Sequence, residues 1–353
     1  MRILVAMSGG VDSSVAAGLL VEQGHDVVGA TLKLWGGASD SGCCSVADVD
    51  DARRVAQVLG VDHHVFNYTE EFERDVVAPY VAAHAQGLTP NPCIECNRHI
   101  KFDLFFQRAA RLGFEAVATG HHARIRRDAT RAQLIRGVDR AKDQSYVLGY
   151  LDAATISSLL LPIGEMTKED VRQRAEQFGL RTWDKPDSQD VCFIEASKGR
   201  EAFLAPRLTL SSAVVVDRAT GDTIGAVPAA QLVTVGQRRG IAAGRDGERR
   251  FVTHVDLQRG RIEVDRLDAI LVREIPIDER SWHVIYDQLS PGTRVLVQVS
   301  AHGRVLEATL SGDGRSVLVL SEAVRPVAPG QTVVLYDAAD TDVVIGAGVV
   351  SAS

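Results

Sequence analysis

The feature that most constrains this chain lies near its start. Residues 3–7 form a short apolar run, and Ser8-Gly9-Gly10 follows at once. Over residues 13–23 the apolar Val15, Leu19 and Leu20 recur near helical spacing, and Gly24 closes the segment. A buried strand that turns through two glycines into a helix gathers the helix's first amides at one point. Those amides, the helix dipole and the hydroxyls of Ser13 and Ser14 favour a bound phosphate. Asp12 is placed to hold Mg²⁺ on that phosphate. No Gly-Lys-Ser/Thr follows, so this is not a Walker loop. A plain glycine turn with a serine cap is the competing reading. The complete string Ser8-Gly9-Gly10-Val11-Asp12-Ser13-Ser14 after a first strand favours nucleotide binding.

The segments that follow keep the same rhythm. Residues 27–32 read as a strand, 46–59 as a helix, 61–67 as a strand, 70–86 and 100–112 as helices, and 115–119 as a strand. Apolar strands alternating with helices predict an α/β fold with a parallel sheet covered on both faces. Ligands of such sheets sit at the carboxyl ends of the strands. Gly9, Gly10, Gly120 and His121 all fall just after predicted strands.

Beyond about residue 195 the helical periodicity fades. Short β-like runs appear at 213–217, 232–235 and 251–255, then at 294–300, 305–310, 316–320, 332–336 and 343–350. Gly, Asp or Pro separates them, which predicts small barrels or sandwiches. The expected organisation is an α/β domain over 1–198, a small β-rich central domain over 199–268 and a C-terminal β-barrel over 269–353. A chain of 353 residues has length enough for two or three such domains. No run approaches the ~18 apolar residues of a membrane helix, and no export signal is legible, so a cytoplasmic protein is expected. The net charge of −7 requires any nucleic-acid site to be a local basic patch. Arg124, Arg126, Arg127, Arg131, Arg136, Arg140 and Lys142 form one such cluster, and Arg238, Arg239, Arg245, Arg249 and Arg250 another.

Five cysteines without an export signal point to reactive or metal-binding thiols rather than disulfide staples. Cys93 and Cys96 lie three apart after Pro92, a residue suited to a first helical turn, and the spacing predicts both sulfurs on one side of it. A redox pair, a metal half-site, or a nucleophile beside a ligand all fit that spacing. Cys43 and Cys44, adjacent in sequence, read as small core residues.

The loop at 6–14 resembles that of the adenylating PP-loop ATPases, which split ATP into AMP and pyrophosphate. With it come Asn91-Pro92 and Cys96-Asn97, Ala118-Thr119-Gly120-His121, Lys142-Asp143-Gln144-Ser145-Tyr146, Asp187-Ser188 with Cys192-Phe193-Ile194, Gly236-Gln237-Arg238-Arg239-Gly240 and Pro329-Gly330-Gln331. In that order and over nearly the whole chain, they resemble the bacterial tRNA-specific 2-thiouridylase family. The resemblance implies an ATP-dependent sulfurtransferase acting on the wobble uridine of tRNAs for Lys, Glu and Gln. Its fold would be an adenylating α/β domain, a small central domain and a C-terminal β-barrel.

By the same resemblance Ala6, Met7, Ser8, Gly9, Gly10, Val11, Asp12 and Ser13 bind ATP with Mg²⁺, and Leu32 and Gly120 line the nucleotide site. Cys96 is the nucleophile position, and Cys192 carries sulfur as a persulfide. Asn91, Pro92 and Cys93 border the target base, while His121, Lys142, Asp143, Gln144 and Gln331 touch tRNA. Sulfur would come from a cysteine desulfurase or a relay protein. One position departs from the pattern: many members carry Asp where this chain has Cys93. Three cysteines can bind three irons of a [4Fe-4S] cluster and leave the fourth open. Cys93, Cys96 and Cys192 are therefore expected as cluster ligands, with a two-cysteine persulfide relay as the competing reading. A different acceptor for the adenylate, as in argininosuccinate or NAD synthetase-like ligases, is the alternative function. Such an enzyme needs no reactive sulfur.

Overall fold

The computed structural model describes residues 1–35, 46–187, 191–195, 197–286, 289–311 and 317–352. The expectation for Cys43 and Cys44 lies outside them. Two compact units are present. One comprises Met1–Val77, Pro92–Ser197 and Asp342–Val344, the other Ala78–Asn91, Lys198–Thr341 and Ile345–Ser353.

The first unit is built on a parallel sheet, as the alternation predicts. Strands β1 (Arg2–Ala6), β2 (Asp26–Lys33), β3 (Asp62–Asn67) and β4 (Ala116–Ala118) and the short Leu159–Leu160 strand take the order β3-β2-β1-β4 and then 159–160. All four pairings are parallel. The order runs outward from β1 in both directions, so the chain reverses course there. That reversal opens a crevice at the carboxyl ends of β1 and β4, the usual ligand position of such sheets.

Helix α1 (Val11–Glu22) follows β1 and is buried nearly all round. Its small residues explain this. A Cβ on Gly18 would lie 2.7 Å from the Phe178 ring, so only glycine lets the neighbouring segment pack there. Helix α2 (Val46–Leu59) is amphipathic and adds Ala52 and Val55 to the same core as Ile3, Val5, Val15 and Ala118.

Two helical predictions hold in outline and differ in detail. The segment from Thr69 to Ala85 is helical, with a π-helical stretch at Glu73–Val77 between α-helical ends. The segment expected at 100–112 begins earlier, at Pro92, and runs to Arg111 through a π-helical stretch at Cys96–Leu104. Such stretches are common at functional sites, and this one opens on Cys96.

The second unit holds two sheets with separate cores. The smaller has the order Phe251–Asp256, Arg261–Asp265, Ala213–Asp217, Thr223–Val227. The larger has seven strands, among them Arg294–Gln298, Leu306–Leu310, Val317–Val324, Thr332–Asp337 and Val344–Val349. The strand predicted at 232–235 is not one. Ala230–Leu232 is a 3₁₀ turn, fixed by the buried Gln231 side chain, which bonds Ser211 and the Thr209 carbonyl. Val233 still packs into the core, but from that turn.

Candidate active site

The loop between β1 and α1 is held by its own serines. The Ser8 amide donates to Ser13 Oγ at 3.1 Å, and Ser13 Oγ donates to the Gly10 carbonyl at 3.2 Å. Ser14 Oγ donates to the same carbonyl at 2.7 Å. Gly9 is left-handed, with φ +73°, and a Cβ there would overlap the Asp48 carbonyl at the start of α2. Gly120, after β4, is as tightly placed: a Cβ would lie 2.5 Å from the Ser13 amide nitrogen. The two glycine-bearing turns therefore meet in the crevice at the first turn of α1. Met7 and Leu32 are buried beneath them, and the Thr31 hydroxyl donates to the Met7 carbonyl at 2.8 Å.

Asp12 points into a network absent from the sequence-based site. Lys168 Nζ donates to both its oxygens, at 2.8 and 2.7 Å, and His122 Nε2 lies 3.1 Å from Oδ1. Burial pushes the Asp12 carboxyl up, but hydrogen bonds from His122 and Lys168 outweigh it and hold the group below its ordinary range. As a hard oxygen donor Asp12 suits Mg²⁺, and in this arrangement a lysine occupies that role. His122 Nδ1 is buried and has no hydrogen-bond partner among the described residues. Lys185 Nζ pins the loop from the other side, donating to the Gly9 carbonyl at 3.0 Å and to Asp48 and Asp51 at 2.8 Å each.

The Lys142-Asp143-Gln144 string is engaged internally. Lys142 Nζ bonds Asp187 Oδ2 at 2.8 Å. Asp143 accepts from the amides of Gly137 and Ser145 and from Ser145 Oγ. Gln144 accepts from the His122 amide through Oε1 and donates its own amide to the His122 carbonyl. The string thus fixes the turn that presents His122. His121 is buried beside Phe102, with Nδ1 2.7 Å from Thr119 Oγ1. Burial drives its pKa well below the ordinary value, with Lys101 and His122 adding to the effect, so the ring is neutral at pH 7.

The three cysteines stand in different surroundings. Cys93 is exposed, Cys96 buried and Cys192 half-buried. Three α-helical residues leave about 60° between side chains, so the two can differ in exposure where the neighbouring Pro92 and Ile94 are buried. Cys192 lies in a turn closed by the Ile194 amide on the Val191 carbonyl. The next residue, Phe193, anchors that turn among Phe72, at 5.6 Å between ring centroids, and Trp35, at 6.2 Å. Among the described residues no three His, Cys, Asp or Glu side chains are grouped to hold a metal ion.

In the second unit, Gln331 Nε2 donates to the Thr89 carbonyl at 2.8 Å, and Asn91 is half-buried. One member of the second basic cluster is not a phosphate contact. Arg250 is buried and bonded to Asp217 at 2.8 Å and Asp246 at 3.0 Å, leaving exposed Arg249 as its outward neighbour.

A tRNA methyl transferase HUP domain model matches residues 1–196, a PRC-barrel domain model 201–266 and an aminomethyltransferase beta-barrel domain model 272–350. The tRNA-specific 2-thiouridylase MnmA of Mycobacteroides abscessus is 42% identical over 99% of this chain and 99% of its own length. The chain belongs to the MnmA family. The MnmA of Chloroflexus aggregans is 44% identical over 95% of both chains. A 4-thiouridine synthetase solved with RNA and bound ATP overlaps 58% of this chain at 17% identity, with a TM-score of 0.38. Within this MnmA-family chain, sequence reasoning missed His122, Lys168 and Lys185. Only His122 carried a signal, as the second histidine after Gly120. No helix among the described residues is long and apolar enough to cross a membrane.

Proposed function

We propose that this chain catalyses ATP-dependent 2-thiolation of the wobble uridine, position 34, of tRNA, forming AMP and pyrophosphate. The observation that carries the reading is the serine-braced loop in the crevice between β1 and β4, in the same unit as Cys96 and Cys192. Full-length similarity to proteins named 2-thiouridylases supports it over an amide-forming ligase.

The first-turn amides and hydroxyls of residues 8–13 would hold the ATP phosphates, with Leu32 and Gly120 shaping the floor. Bound Mg²⁺ would neutralise charge on the leaving pyrophosphate, with Asp12 as its ligand once Lys168 yields. The uracil O2 attacks the α-phosphorus and pyrophosphate leaves. This converts a poor leaving oxygen into AMP. An unpaired anticodon base reaches such a site at modest cost. A persulfide on Cys192, loaded by a cysteine desulfurase or a relay protein, attacks C2 with its outer sulfur and expels AMP. Cys96 thiolate then attacks the Cys192 sulfur, releasing 2-thiouridine and leaving a Cys96–Cys192 disulfide. A dithiol reductant resets it with two electrons.

We assign Lys142 to the tRNA backbone and Pro92 and Cys93 to the edge of the base. His121, Asp143 and Gln144 act through the turn they shape. Asn91 and Gln331 are proposed contacts from the second unit. The substrates are tRNAs for Lys, Glu and Gln, met in the cytoplasm.

Nucleoside mass spectrometry of tRNA incubated with ATP, persulfide donor and dithiol tests the reading. Iron-free protein should form 2-thiouridine, and Cys96→Ser or Cys192→Ser should abolish it. Product only after iron–sulfur reconstitution would replace the relay with a [4Fe-4S] cluster on Cys93, Cys96 and Cys192. Product in neither sample, with pyrophosphate still released, would redirect the reading toward a ligase.

A further inference from the structure

Asp187 lies where three cations converge. Its Oδ2 takes Lys142 at 2.8 Å, and its Oδ1 takes Lys168 at 2.9 Å and Arg172 at 3.0 Å. Lys168 is shared, because the same ammonium also spans both oxygens of Asp12 in the phosphate loop. Lys168 is 13% exposed and Asp187 19%, whereas Lys142, at 36%, is the solvent-facing end. The chain of contacts Lys142–Asp187–Lys168–Asp12 therefore links an accessible cation to the phosphate loop through shielded ion pairs. Asp187 is held ionised: burial pushes its carboxyl up, but Lys142 and Lys168 outweigh this and bring it to about 2. Arg172 is braced independently, donating to the carbonyls of Trp183 and Lys185, so it anchors Asp187 from behind.

We propose that Asp187 is a positioning residue that couples tRNA binding to ATP binding. The proposal rests on the function given above, with Lys142 as a tRNA contact. When a tRNA phosphate takes Lys142, Asp187 Oδ2 loses its partner. The carboxylate then has spare acceptor capacity for the Lys168 ammonium, which is drawn toward it and off Asp12. Asp12 is thereby released to serve the metal-bound triphosphate. Each ligand favours the same arrangement of Lys168, so the sign of the coupling is positive. By linkage, tRNA must tighten ATP binding by the same factor that ATP tightens tRNA binding.

The test is calorimetric and needs no turnover. Binding of α,β-methylene-ATP with Mg²⁺ is measured with and without an unmodified tRNA transcript bearing a wobble uridine. The same is done for Asp187→Asn and, should that variant fold poorly, for Lys142→Met. The intact chain should bind the analogue at least about 5-fold tighter in the presence of tRNA, within the usual range of such couplings. In Asp187→Asn the factor should fall to about 1, while analogue affinity without tRNA changes by less than about 3-fold. A variant that keeps the full factor overturns the proposal, as does an intact chain that binds both ligands without linkage. An intact chain that binds the analogue but no tRNA overturns the proposed function, and the coupling with it.

Discussion

Gly9→Ala tests whether the phosphate loop depends on its close approach to α2. Two penalties add at this position. The backbone is left-handed, with φ +73°, which costs a non-glycine residue about 1–2 kcal/mol. The new methyl would also lie 2.9 Å from the Asp48 carbonyl carbon and 3.0 Å from its Cα, against the about 3.5–4.0 Å of carbon contacts. Neither neighbour is the flexible end of a side chain, so loop and helix must part by roughly half an ångström or more, at about 1–3 kcal/mol. Lys185 resists that movement, because it bonds the Gly9 carbonyl, Asp48 and Asp51 together. The sum is about 2–5 kcal/mol, or roughly 4–20 °C in Tm for a unit of about 150–250 residues. Gly10→Ala is the internal comparison. Gly10 has φ −92°, and its nearest obstacle is Ser8 Oγ at 3.5 Å. Its cost should stay within about 1 kcal/mol, mainly from the weaker N-cap. Differential scanning fluorimetry reads the stabilities, and calorimetry with α,β-methylene-ATP reads the loop, for which Gly9→Ala should lose at least about 10-fold in affinity. Gly9→Ala melting within a degree of the parent and binding the analogue equally well would refute the reasoning.

Phe193→Ala removes the ring that packs against Phe72 and Trp35. It should cost about 3–5 kcal/mol and speed alkylation of Cys192 by iodoacetamide, read by mass spectrometry; an unchanged alkylation rate would mean the aromatic anchor does not hold that turn. Arg250→Met strands the Asp217 carboxylate in the second unit and should cost about 3–5 kcal/mol, with Asp217→Val in the same chain restoring much of it. If both variants melt like the parent, that pair is not a structural element. Asp187 is depressed from 3.8 to about 2, so its contribution to stability is complete above about pH 4 and erodes as the pH falls toward 2. The Tm of the parent should therefore drop more steeply than that of Asp187→Asn between pH 4 and pH 2, and parallel curves would contradict the assignment.

The parts legible in the sequence were those carried by local chemistry. Two glycines between an apolar run and a helical repeat predict a turn at the head of α1, and the structure places one there because no side chain fits beside Asp48. The alternation of elements predicts the parallel sheet, and Gly120 falls just after strand β4, where the sequence places it. The charged framework around the loop was not legible, because its partners are far apart in sequence. Asp12 and Lys168 are separated by 156 residues, and Lys185 and Gly9 by 176. No periodicity encodes such a pair, since only folding of the helix Lys168–Gln177 beside α1 brings it together. The exposure of the cysteines was not legible either. A three-residue spacing predicts the angle between two helical side chains and not which of them is buried. Burial was decided by the neighbours, with Ile94 and Ile100 turned inward and Cys93 left at the surface. The same logic reaches the basic clusters. Runs of arginine suggest a phosphate-binding surface, but Arg124 and Arg140 both reach Asp342 and Arg250 is sealed inside a core. Charge counted along a sequence overstates what tRNA can meet, and the cation that matters most to the proposed coupling is Lys142, whose ammonium is paired with the Asp187 carboxylate that a phosphate must displace.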